Sequence, residues 1–551
     1  MLPPSVRSSR GPSGRGCPSV RSAGEGDNRL LQASVISSRS LVRKERTSAF
    51  SRVTLVIPPS LFLLDERVFM SLGILRVAAV LEQAGFVVEM LDLSGVANYE
   101  DAVEAYMRSS ETRVVCLTAT TPQLPATVKI VEKVRSLREG VRIVLGGPHV
   151  TLVHAAARLE KKAGRVARGH AALARLESAF DVLVVGDGEE AIFVALGESP
   201  PKIVDADDPK GPLFMTSAFY NETPMPARHL VDVDSYKYTI DGHKAGNMIA
   251  QLGCPMKCVF CGGRSSPMLR RIRTRTTASI VDEIEHLYTT YGFTAEMLHD
   301  DELNVNKGVV ELMNAIDALQ KRLGVEFRFR GFIKAELFTE EQAESMYRAG
   351  FRWLLCGFEA AQKRILENIQ KNATIEDNAR VVDICRRYGL KVKALMSVGH
   401  AGETEESILA VRDWLLDVQP ADFDCTIIST YPGTPYYDES VPHDSLPNVW
   451  TYTCPKSGDR LHSHDIDFST VADYYKGDPD GGYRSYVFTD HLTAERIVEL
   501  RDGVERDVRA KLNIPFNPGA PGIRYEHSMG ASGGLPPLIL RRSQLASADV
   551  R

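Results

Sequence analysis

From about Asn247 onward, helical stretches end on glycine and hydrophobic strands follow at once: Tyr291-Gly292, Leu323-Gly324, Ala349-Gly350 and Tyr388-Gly389. Glycine just past a helix takes the left-handed conformation that turns the chain into its next element. Ser279 with Asp282, and Thr339 with Gln342, supply matching helix starts, a side-chain cap with a partner three residues on. Strands that alternate this regularly with helices predict a full or partial β/α barrel.

An earlier alternation precedes it. Residues 53–57, 87–91, 114–118, 143–145 and 182–185 are short β-branched runs, and residues 74–83 and 126–137 between them carry apolar side chains at helical spacing. Continuous apolar strands separated by amphipathic helices predict a parallel sheet covered on both faces, a doubly wound Rossmann-like domain. The chain therefore reads as α/β throughout. Its expected divisions are a disordered tail 1–48, the parallel-sheet domain 49–205, a linker 206–240, the barrel 241–440, a small α+β C-terminal region 441–516 and a flexible tail 517–551. In the C-terminal region and just before it, Tyr436, Tyr437, Trp450, His462, His464, Tyr474 and Tyr475 read equally as a substrate cap or as core.

Lys and Arg number 66 against 71 Asp and Glu, a formal net charge of -5, so no basic excess exists to hold nucleic acid. The apolar stretch 53–64 is broken by Pro58 and Pro59 and falls short of the ~20 residues that span a bilayer. Nine cysteines in 551 residues are too sparse for a disulfide scaffold, and the expectation is a soluble protein of the reducing cytoplasm.

The placement of those cysteines carries more than their number. Cys254, Cys258 and Cys261 share the segment 251–263, QLGCPMKCVFCGG, straight after the first barrel strand, at the end where β/α barrels gather their chemistry. Structural zinc would want a fourth ligand, yet the next cysteine is Cys356 and the nearest upstream histidine His243. A four-iron cluster on three thiolates leaves one iron open to a small chelating molecule.

CxxxCxxC with Phe260 before the last cysteine, on the first loop of a β/α barrel, resembles the radical S-adenosylmethionine superfamily. The resemblance implies a 4Fe-4S cluster on Cys254, Cys258 and Cys261 whose open iron chelates S-adenosyl-L-methionine, cleaved to a radical that abstracts hydrogen from carbon. It also assigns cofactor contacts to Phe260, to Asp300, Asp301 and Glu302 after the second strand, to Glu359 after the fourth, to Gly399 after the fifth and to Tyr431 after the sixth. Carboxylates after a strand also serve as helix caps, and Asp300, Asp301 and Glu403 carry both readings. Lys371, Arg270, Arg271, Arg273 and Arg275 read as solvated or structural. His400 stands where the family pattern has an apolar residue, and packing is its expected role.

In the first domain, Thr118 and Thr120, Gly146, Gly147 and His149, and Gly186, Gly188 and Glu189 lie at strand ends, where ligands of such sheets bind. With Gly73 opening the first helix and residues 91–95 ending the second strand, the order resembles the cobalamin-binding domain of a large radical S-adenosylmethionine subgroup, over about residues 50–440. A dinucleotide site is disfavoured, because Pro58-Pro59-Ser60 and no GxGxxG follow the first strand. Asp92-Leu93-Ser94 lacks the histidine that ligates cobalt from below in other cobalamin domains.

The resemblance implies a cobalamin-dependent C-methyltransferase that moves a methyl group from methylcobalamin to an unactivated carbon of a small molecule, in natural-product or antibiotic biosynthesis. A low-potential donor, flavodoxin or ferredoxin, would supply electrons. The alternative is a cobalamin-associated cyclase or ring-rearranging enzyme without methyl transfer. Methylthio transfer lacks its extra cluster cysteines, since only Cys17 and Cys116 precede the barrel. A sensor without turnover would not need the barrel landmarks.

Overall fold

The computed structural model describes residues 48, 50–60, 67–474, 482–514 and 540–542. The tail expected at 1–48 falls outside them apart from Ser48, as does Tyr475.

The expected parallel sheet is built from β1 (Arg52–Ile57), β2 (Val87–Asp92), β3 (Val114–Thr118), β4 (Arg142–Gly146), β5 (Val182–Gly186) and β6 (Ile203–Ala206), in the order β2-β1-β3-β4-β5-β6. β6 is a strand the sequence reading did not separate, because its four residues alternate half-buried and buried and lack a continuous apolar run. Helices cover both faces, so Val53, Leu55, Val88, Val114 and Val182 pack into one core and Val56, Leu91, Val115, Ile143 and Leu183 into another. Of the expected flexible tail 517–551, the described part is β20 (Leu540–Arg542), which pairs antiparallel with β2.

The barrel opens with β7 (Thr239–Ile240) antiparallel to β8 (His243–Met248). A two-residue pair, β9 (Gln251–Leu252) and β10 (Arg273–Thr274), brackets the cysteine loop. The parallel strands continue through β11 (Ala295–Leu298), β12 (Arg328–Ile333), β13 (Phe351–Glu359), β14 (Lys391–Val398) and β15 (Asp422–Ile427), in the order β15-β14-β13-β12-β11-β8-β7. This is a partial barrel. The four glycines all take positive φ, 69° at Gly292 and 105° at Gly350 among them. Thr339 caps its helix through the Gln342 N–H, as expected. The other cap is corrected: Thr276, three residues before Ser279, accepts the Ser279 N–H and starts helix Thr277–Tyr291.

β15 is an edge strand whose backbone is covered by helix Ala494–Leu512. Arg501 Nε donates to the Cys425 carbonyl at 2.6 Å, Arg509 to the Phe423 carbonyl at 2.6 Å, and Glu505 accepts the Cys425 N–H at 2.8 Å. Side chains thus complete a ladder that another strand would otherwise template. The C-terminal region also holds a four-stranded antiparallel sheet, β16 (Val441–Pro442), β17 (Val449–Thr453), β18 (Arg460–His464) and β19 (Val487–Thr489). Tyr436, Tyr437 and Tyr474 are buried core, and His462 pairs with Asp490 at 3.0 Å, so in these residues packing accounts for the aromatics. No helix among the described residues is long and apolar enough to cross a membrane.

Candidate active site

Gly253 sets the entry to the cysteine loop. Its φ is 87°, and a Cβ there would overlap the Arg271 carbonyl, so only glycine lets the two sides of the loop approach. Its N–H donates to Asp301 at 2.9 Å, the Ala250 N–H donates to Asp300 at 3.1 Å, and Cys254 N–H donates to the Leu269 carbonyl at 3.0 Å. Asp300 therefore braces the loop backbone, with burial pushing its carboxyl up to about 7. Gly263 N–H reaches the Gly433 carbonyl at 3.1 Å, and Gly262 lies against the Tyr431 ring, which leaves no room for a Cβ.

Cys254, Cys258 and Cys261 open on a cavity of about 190 Å³ shared with Phe260, Asp301, Glu302, Lys334, Glu359 and Lys371. Desolvation pushes the Cys254 thiol up to about 11 and Cys261 to about 12, so metal must displace the thiol protons. Among the described residues no three His, Cys, Asp or Glu side chains are grouped around one ion position. Glu302 Oε2 is buried without a partner, and desolvation raises this carboxyl to about 7. A donor set of three thiols beside an unsatisfied carboxyl fits the cluster and an amino-bearing chelator.

Lys371, expected to be solvated or structural, is buried and donates to Glu359 Oε1 at 3.1 Å. Lys334 was not singled out, although it follows β12 directly and faces the same cavity. Arg273 and Arg275 are structural as expected, ion-paired with Asp187 and Glu283. Arg270 donates to the Met256 and Pro255 carbonyls and holds the loop.

Glu359 has φ 65°, a left-handed position that side-chain-bearing residues avoid, at a register shift between β13 and β14. Its second oxygen accepts from Ser397 Oγ at 2.8 Å; Ser397 lies 2.7 Å from His400 Nε2, and His400 Nδ1 lies 3.2 Å from the Tyr436 hydroxyl. Burial holds His400 neutral to about pH 4. Ser397 has one proton, given to Glu359, so His400 donates from Nε2 and accepts the Tyr436 proton at Nδ1. This buried chain fixes Glu359, and it gives His400 more than packing. Gly399, with φ 92°, and His400 both donate backbone N–H groups to Glu403, which clamps the loop.

The first domain carries a second cavity of about 220 Å³ at the carboxyl ends of its strands. Thr118, Gly146, Gly147, Gly186, Gly188 and Glu189 line it, with apolar walls from Leu55, Cys116, Val144 and Val184. A Cβ at Gly73, also on its wall, would meet nothing within 4 Å, an open cradle suited to a large ligand. Leu252 and Met268 close the other side. Thr120 and His149 do not line it. Thr120 pairs with Gln123 in a capping box, and His149 is buried against Thr121 Oγ1 at 3.1 Å, where desolvation lowers it to about 3. Asp92 is committed to Arg67 at 2.9 Å and to the Tyr236 hydroxyl at 2.8 Å, and it anchors the loop to Ser94.

The Radical SAM superfamily matches residues 248–415 and the B12 binding domain matches residues 66–177. An uncharacterized methyltransferase of Pyrococcus horikoshii is 26% identical over 403 residues, 72% of this chain and 84% of the relative. The anaerobic magnesium-protoporphyrin IX monomethyl ester cyclase of Rubrivivax gelatinosus is 25% identical over 341 residues, 58% of this chain and 57% of that enzyme. In fold the chain is similar to the radical S-adenosylmethionine methyltransferase TsrM of Kitasatospora setae, solved with cobalamin and a [4Fe-4S] cluster, at TM-score 0.58 and 18% identity over 88% of this chain and 92% of that one.

Proposed function

This chain belongs to the radical S-adenosylmethionine superfamily, among its members with an N-terminal cobalamin-binding domain, and from that premise we propose a C-methyltransferase that acts on an unactivated carbon of a small natural-product or antibiotic precursor. The observation that carries the reading is the adjacency of the two cavities. Leu252 and Met268 wall the first-domain cavity, while Cys254 and Leu269, close to them in the chain, line the cysteine pocket, so one loop separates the two. Its cofactors are a 4Fe-4S cluster, S-adenosyl-L-methionine and cobalamin.

When bound, the cluster and S-adenosyl-L-methionine supply the radical that takes hydrogen from the substrate, and cobalamin supplies the methyl group. Cys254, Cys258 and Cys261 hold the cluster. Glu302 offers its free oxygen to an ammonium, Lys334 and Lys371 face a carboxylate, and Glu359, fixed by Lys371 and Ser397, accepts hydroxyls. Phe260 and Leu269 wall the pocket against water. Gly146, Gly147, Gly186 and Gly188 line the strand-end cavity that would hold the corrinoid. Flavodoxin or ferredoxin in the cytoplasm supplies the electron.

The cyclase relatives favour a second reading, ring formation with the same cofactors. Reconstituted protein, given methyl-labelled S-adenosyl-L-methionine, a reductant and candidate substrates, decides between them. Methyl transfer yields 5'-deoxyadenosine, S-adenosylhomocysteine and labelled product in equal amounts. Substrate conversion with 5'-deoxyadenosine and no label in the product would replace the methyltransferase reading by the cyclase one.

A further inference from the structure

At the amino-terminal end of the barrel strands, opposite the cysteine loop, lies a cavity of about 440 Å³. It is enclosed by β7, by the early residues of β12, β13 and β15, and by the end of helix Ala494–Leu512. Its size falls in the ~300–1,000 Å³ range of small-molecule sites. Ile240, Trp353, Leu512 and Ile514 supply the apolar half of its wall, and Asp241, Arg330, Asp422, Arg509 and Asn513 lie on the polar half. Between it and the cysteine pocket the barrel interior is filled by Tyr238, Met297, Phe332, Leu355 and Leu395. The reaction chemistry therefore does not explain it.

One buried guanidinium in this cavity has no ion pair, with only the neutral Tyr238 hydroxyl beside it. Eight arginines are buried among the described residues: 67, 76, 168, 228, 273, 330, 501 and 509. Seven of them have a carboxylate within 4.0 Å. Arg330 has none, although it is only 7% exposed, and its Nε lacks any hydrogen-bond partner. It lines the cavity, with its guanidinium 5.6 Å from the Trp353 ring. Neither acid on the wall comes within 4.0 Å of Arg330: Asp422 is ion-paired with Lys393 at 3.1 Å and Arg509 at 3.4 Å, and Asp241 accepts the Trp353 indole N–H at 3.2 Å. A buried charge without an opposite charge is costly, and among the described residues seven of the eight buried arginines avoid that cost.

We propose that this cavity binds a small monocarboxylic acid, its carboxylate forked on the Arg330 guanidinium and its apolar body against Ile240, Leu512 and Ile514. The planar guanidinium matches a carboxylate through two parallel hydrogen bonds. A phosphate dianion fits less well, because Asp241 and Asp422 line the same walls and only one positive charge is open. The site stands independently of the cluster and of the cobalamin domain.

Calorimetric titration of the full-length protein with benzoate, cinnamate and hexanoate tests this, with the corresponding amides and inorganic phosphate as comparisons. At least one acid binds one per chain, its amide binds at least tenfold more weakly, and Arg330→Gln weakens the acid at least tenfold. Leu512→Trp, which fills the cavity while keeping Arg330, abolishes binding as well and serves where Arg330→Gln does not fold. The proposal is overturned if none of the acids titrates, if amide and acid bind alike, if phosphate binds more tightly than every acid, or if binding survives in either folded variant.

Discussion

His400→Gln tests the buried chain from Tyr436 to Glu359 most directly. His400 is fully buried, and burial holds it neutral to about pH 4, with Glu359 the charged group that opposes this shift and Phe260 and Tyr436 the rings beside it. An unfolded histidine titrates near ~6.5. A lowered folded value means that the unfolded chain binds the proton first, so wild-type stability from this residue is complete above ~6.5 and lost as pH falls toward 4. The loss is about 1.4 kcal/mol per pH unit in that window, or about 2 kcal/mol between pH 7.5 and 5.0. Glutamine does not titrate, and its amide can donate to Ser397 while its carbonyl accepts from Tyr436. The stability gap between wild type and His400→Gln should therefore move by about 2 kcal/mol in the variant's favour from pH 7.5 to 5.0, with other titrations cancelling in the difference. His400→Phe, which strands the Ser397 acceptor and the Tyr436 hydroxyl, should cost about 1–3 kcal/mol per stranded group at pH 7.5. Urea unfolding read by pulse proteolysis at several pH values measures both. A gap that stays constant with pH would show that His400 is not held neutral by this environment, and the assigned direction of the hydrogen bonds would fall with it.

Cys254→Ala, Cys258→Ala and Cys261→Ala should each lose the iron and the visible absorption of a reconstituted cluster, whereas Cys356→Ala, buried within β13, should keep both. Gly253→Ala should fold yet assemble little cluster, because the added methyl forces the loop away from Arg271; normal iron content in that variant would contradict the geometry. Glu283→Ala should destabilise the protein by about 3–5 kcal/mol, since Arg228 and Arg275 both lose their carboxylate. Burial pushes Glu283 up, but the two arginines outweigh it and hold it at about 2, so this contribution is present above the usual carboxylate range and disappears as pH falls toward 2. Thermal unfolding at pH 7 and at pH 3 should show the penalty shrinking.

Periodicity and punctuation determined the scaffold from sequence alone. Apolar β-branched runs at 53–57 and 114–118 that alternate with amphipathic helices fit strands buried on both faces, and glycines just past the helices fit the turns into the next strands, because both follow from local backbone and burial rules. The cysteine triplet was legible for a similar reason: three ligands within one loop are close whatever the rest of the fold does. β6 was missed because a short strand at the far side of a sheet is half-exposed and carries no continuous apolar signal. The side chains around the triplet were decided by tertiary structure. Lys334 reaches the cavity from the end of β12, Lys371 from the loop after helix Lys363–Asn368, and Ser397 reaches Glu359 from the end of β14, and nothing in their local sequence distinguishes them from surface residues. Thr120 and His149 show the converse, since they share strand-end loops with cavity residues but turn to cap and core positions. Arg330 is the clearest case. Along β12 it is one more basic residue beside Arg328, and only assembly of the partial barrel buries it with no described carboxylate within 4.0 Å, because burial and charge partnership are properties of what other strands bring to a residue.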